Sequence, residues 1–113
     1  MADGSGDRVF EIFMAAVDAS GGLGRMVRER RLMWLPHLMQ SAYIVLRQED
    51  EHCLLEEIAD DLGLSRDLVE HVLSGPVDKA RARMLAPPPQ ELYERSHIAG
   101  GMARLVYDEA GRQ

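Results

Sequence analysis

Aromatic side chains are scarce in this chain, with one Trp, three Tyr and two Phe among 113 residues. A protein that holds single-stranded nucleic acid by stacking bases on rings needs more of them. Cysteine is scarcer still. The lone Cys53 has no second thiol for an internal disulfide or a zinc knuckle, which fits a reducing compartment. Positive charge is in deficit, thirteen Lys and Arg against nineteen Asp and Glu, and the formal net charge of -6 repels polyanions unless the bases gather on one face. Long apolar runs are missing too. Residues 32–35 and 42–46 are short and interrupted, far below the roughly 18 residues that a bilayer span requires. The first seven residues carry neither a basic leader nor an apolar stretch of signal length, so the expectation is a soluble, cytoplasmic protein with no membrane partner.

What is present suits one helical domain. A 46% hydrophobic share supplies a core of Leu, Val, Ile, Ala and seven Met, and 28% charged residues keep the outside wet. Residues 1–6 are small and polar and read as a disordered tail; residues 7–86 read as the helical domain. Phe10, Phe13, Met14 and Val17 recur at helical spacing before Ser20-Gly21-Gly22 ends the first helix. A second helix is expected over about residues 25–34. A third, from Pro36 to Arg47, lines up Leu35, Leu38, Met39, Ala42, Val45 and Leu46 as a buried stripe. Another is expected over about residues 77–85. Pro87, Pro88 and Pro89 read as an extended spacer, after which residues 90–113 hold a C-terminal helix. Its small and apolar stripe, with Gly100-Gly101 inside, suits either packing on the first helix or association with a second copy, as a homodimer. No alternating strand pair or hairpin turn stands out.

Residues 54–73 carry the sharpest pattern. Ile58 and Leu62 share one helical face, Ala59 and Gly63 are small where two helices would meet and turn, and Leu64 plugs the turn. Ser65 can cap a second helix whose inner face holds Val69 and Val72. This stretch resembles the bacterial helix-turn-helix superfamily, in particular region four of sigma factors and small transcriptional regulators. The resemblance implies an all-α fold of five or six helices around a central helix-turn-helix, without a wing. It also implies a transcription-regulator-like protein that binds double-stranded DNA through Ser65, Arg66, Asp67, Glu70 and His71.

The charge of the same stretch points elsewhere. From Glu49 to Glu70 there are nine acids and a single base, Arg66. Phosphate neutralisation supplies most nonspecific affinity for DNA, so bases would have to come from Arg25, Arg28, Arg30 and Arg31 and from Lys79, Arg81 and Arg83. The alternative is an acidic helix-turn-helix that docks on a basic protein surface without binding DNA. His52, Cys53 and Glu56 fall short of a closed metal site. His37, His71 and His97 are widely spaced and accompany no nucleophile motif. The expectation is a protein with no metal or cofactor, and not an enzyme.

Overall fold

Among the described residues seven helices form, because apolar residues recur every three to four positions and glycine, proline and serine punctuate them. The computed structural model describes residues 5–86 and 91–110. Residues 1–4 of the expected tail, Pro87, Pro88 and Pro89 of the expected spacer, and residues 111–113 lie outside the described residues. The helices are α1 (Ser5–Ala19), α2 (Leu23–Arg28), α3 (Trp34–Glu49), α4 (Leu55–Leu62), α5 (Arg66–Leu73), α6 (Ala80–Leu85) and α7 (Leu92–Ala110). Among the described residues there is no strand, so the fold is all-α as expected. Two helices of only six residues, α2 and α6, bring the number to seven. α1 begins at Ser5, inside the stretch expected to be a loose tail.

The long helix α7 lies at the centre, packed against α1, α3, α5 and α6. Its Ile98, Ala99, Met102, Ala103 and Val106 are at most 6% exposed and meet Trp34, Leu38, Ala42 and Val45 of α3 and Ile12, Phe13 and Val17 of α1 in one core. The stripe that could have served a second copy is therefore buried within the same chain. Glycine makes this possible. A Cβ on Gly100 would collide with the carbonyl of Val72, and one on Gly101 with the carbonyl of Pro76. The two helices meet backbone to backbone, and α7 runs unbroken through both glycines, so close packing is their role.

α2 stops well short of the expected helix. Arg30 adopts a left-handed conformation with φ of 56°, while Arg31 N–H reaches back to the Met26 carbonyl at 2.7 Å and Arg30 N–H to that of Val27 at 3.2 Å. This is the helix-ending arrangement that glycine usually serves, here carried by arginine at a cost of about 1–2 kcal/mol. The turn releases Arg31 toward α6. Its guanidinium donates to the carbonyls of Met84, Leu85 and Ala86 at 2.9, 3.1 and 2.8 Å, satisfying the open C-terminal end of that helix.

α4 and α5 form a smaller second cluster. Ile58, Ala59, Val69 and Val72 are at most 6% exposed and pack with Ile44 of α3. Gly63 takes φ of 69°, letting Leu64 N–H bond the Ala59 carbonyl at 2.9 Å and close α4. Ser65 Oγ then accepts from Leu68 N–H at 3.1 Å and opens α5. The turn between the helices is three residues long, as Gly63, Leu64 and Ser65 suggested.

Candidate functional site

Burial of Ile58, Ala59, Val69 and Val72 turns the charged positions of α4 and α5 outward. Glu56, Glu57, Asp60 and Asp61 of α4 are exposed, as are Ser65, Arg66, Asp67, Glu70 and Ser74 of the α5 segment. Part of this acidity serves the helices themselves. Glu57 Oε1 accepts from Leu54 N–H at 2.8 Å, and Glu56 and Asp67 sit in first turns, where the helix dipole favours negative charge. Asp60 and Asp61 do the opposite. They occupy the last turn of α4, which holds no base, at the negative end of the dipole. Each placement there costs about 0.3–1 kcal/mol, so helix stability does not account for them. Asp61 is offset by Arg47 of α3, whose Nη1 lies 2.7 Å from its Oδ2.

Arg66, the one base of the unit, is engaged. Its Nε lies 2.8 Å from Glu56 Oε1, joining the start of α5 to the start of α4, with both side chains more than half exposed. A surface pair of this kind contributes little stability, yet it offsets the charge that would meet a phosphate. His71 differs from the outward position expected of it. The ring is half-buried and stacks on His97 of α7, with centroids 4.3 Å apart and planes at 20°. His97 Nδ1 lies 2.9 Å from the His71 carbonyl; since a carbonyl only accepts, the proton is on that nitrogen. α7 thus anchors the last turn of α5. Asp67, Glu70, His71 and Ser74 line a shallow polar recess of about 200 Å³.

Four members of the two expected basic clusters are already engaged by acids or carbonyls. Arg25 and Arg31 share Glu29 at 2.7 and 3.0 Å, and the hydrogen bond from Arg25 is the main reason that the Glu29 carboxyl titrates below its ordinary range. Arg31 is committed to α6, with its side chain only 17% exposed. Arg81 pairs with Glu109 at 3.8 Å and Arg83 with Glu94 at 3.3 Å. Arg28, Arg30 and Lys79 are exposed and form no ion pair among the described residues. Cys53 is half-buried beside the α4–α5 cluster, and no group of three or more His, Cys, Asp or Glu among the described residues could hold a metal ion.

An apolar feature adjoins the acidic unit that the sequence pattern did not reveal. Met39 and Tyr43 of α3, with Leu62 and Leu64 at the α4–α5 turn, line a cleft of about 410 Å³. Met39, expected in the buried stripe, is 46% exposed, and Phe10 of α1 is 62% exposed. None of the protein-family models, curated proteins or solved structures compared with this chain matches it. No helix among the described residues is long and apolar enough to cross a membrane.

Proposed function

We propose that the α4–α5 unit is an acidic docking module that holds a basic segment of a protein partner, in the cytoplasm, and does not grip DNA phosphates. One observation carries this reading. The only base of the unit, Arg66, is paired with Glu56, while Glu57, Asp60, Asp67 and Glu70 face outward around it. A polyanion meets repulsion on this face, whereas a lysine- or arginine-rich segment meets complementary potential that steers its approach. The cytoplasmic setting is supported by the single thiol, Cys53. Catalysis forms no part of the proposal. A homodimer working through α7 does not either, because that helix's apolar stripe is buried inside its own chain.

A second reading keeps the resemblance at its word: a helix-turn-helix transcription regulator whose α5 enters the major groove. It is favoured by the open early positions of α5, where Ser65, Arg66, Asp67 and Glu70 are all exposed, and by Arg28, Arg30 and Lys79, which form no ion pair among the described residues. The readings diverge at three residues. Asp60→Lys reverses an acid at the unfavourable end of α4, so the docking reading expects stability to rise by about 0.5 kcal/mol. Affinity for a labelled arginine-rich peptide, read by fluorescence anisotropy, should fall about tenfold when Asp60→Lys is combined with Glu70→Lys. Arg66→Ala should leave peptide binding intact or strengthen it. Peptide affinity indifferent to the double reversal, or duplex DNA binding that Arg66→Ala abolishes, would overturn the docking reading.

A further inference from the structure

We propose that the cleft beside the α4–α5 turn receives an amphipathic helix from the partner, apolar on the face that enters and rich in lysine and arginine along its flanks. This deepens the docking reading and rests on it. The 410 Å³ cleft is continued over α3 by a smaller hollow of about 130 Å³ that Phe10 and Phe13 of α1 close from the far side. Met39 and Tyr43 line both and form the shared floor. Those two residues are one helical turn apart, the spacing at which a docking helix repeats its apolar side chains. On the same helix Leu38 and Ala42 are fully buried, so α3 faces the core with one side and leaves Met39 at the surface with another. Exposed Met and Phe side by side, with a Tyr beneath, are the adaptable and aromatic groups that partner helices use as anchors.

The rim specifies the charge of the occupant. Glu11 follows Phe10, Asp61 precedes Leu62, and Asp50 and Glu51 close the end of α3, against Arg8 and Arg47 on the basic side. Both bases are already paired, Arg8 with Asp50 at 3.2 Å and Arg47 with Asp61 at 2.7 Å. Exposed Glu56, Glu57 and Asp60 of α4 lie beyond. An apolar floor offers nothing to a phosphate backbone, and an acidic rim repels one; the same pair of features suits a helix with a leucine face and basic flanks. From Pro36 to Tyr43 the floor runs about 10 Å, two turns of helix. A second copy of this chain supplies a poorer occupant, since its formal net charge of -6 meets like charge at the acidic rim.

The test titrates the full chain against two labelled peptides of about 14 residues and identical composition. One carries leucines at helical spacing on one face and lysines elsewhere, and the other is scrambled. The amphipathic peptide should bind at least about tenfold more tightly than the scrambled one, and Met39→Asp or Phe10→Asp should each remove that advantage. Both positions are exposed, so the variants keep the helical circular dichroism of the parent. The Met39 methyl resonance should shift on addition of the amphipathic peptide. Equal affinity for both peptides, lost in Glu70→Lys, overturns the cleft and leaves the acidic docking face standing. Binding of neither peptide overturns both. Self-association that Met39→Asp abolishes makes a second copy the occupant and overturns the proposal.

Discussion

At the residue scale, what a side chain does here depends on what already occupies its surroundings, and glycine shows this most directly. Gly24 of α2 and Gly100 of α7 are both helical, yet an added Cβ meets only the end of the Arg28 side chain at the first and the Val72 backbone at the second. Gly24→Ala should stabilise the protein by up to about 1 kcal/mol through helix propensity. Gly100→Ala should destabilise it by about 3 kcal/mol, because two backbones must separate. Thermal unfolding of the two variants in parallel checks the opposite signs, and equal shifts would contradict the close α5–α7 contact. His37 gives a pH dependence. It sits near Trp34 and 3.3 Å from Ser96 Oγ, and burial, aided by Arg95, holds its pKa below the ordinary value of 6.5. The unfolded chain therefore takes up this proton first. Stability should be full above about pH 6.5 and should fall as pH drops toward the lower folded value. His37→Gln should flatten that part of the profile in pH-dependent thermal melts; parallel profiles would remove the assignment.

At the scale of elements, the legible parts of the chain were those whose chemistry is local. Gly63, Ser65 and the spacing of Ile58, Ala59, Val69 and Val72 each state their own requirement, and together they placed α4, the turn and α5 within a residue or two. The end of α2 was not legible, because the left-handed residue there is Arg30 and nothing in its side chain announces the turn. The reason lies 53 to 55 residues away, in the carbonyls at the end of α6 that Arg31 reaches. Arg31→Ala should cost about 2 kcal/mol and speed amide exchange in α6 first, and Arg31→Lys should restore less than half, since an ammonium cannot span three carbonyls. Exchange that rises evenly over the molecule would argue against the cap. Met39 and Phe10 were misread for a related reason. Helical periodicity finds apolar stripes but not the width of the neighbour that covers them, and α1 and α4 leave a gap over α3. His71 was read as outward because the helix-turn-helix resemblance implies a contact role for it on the second helix; the stacking partner, His97, is on another helix.

At the scale of the whole molecule, the distribution of charge matters more than its sum. The radius of gyration, 13.2 Å, is that of a single domain, so α2, α6 and the ends of α7 share a small surface, and several of their arginines meet acids there. Of the α4 acids, Asp61 is compensated by Arg47 and Glu56 by Arg66. Two of them, Asp60 and Asp61, stand where the helix dipole disfavours them. The most direct measurement is a titration of a labelled random duplex DNA with the full chain at low salt. An acidic docking face predicts no association tighter than about 100 µM, because Arg66, the one Arg or Lys of that face, is already paired with Glu56 and few counterions are released. Low-micromolar binding that falls steeply with added salt and disappears in Arg66→Ala would contradict it.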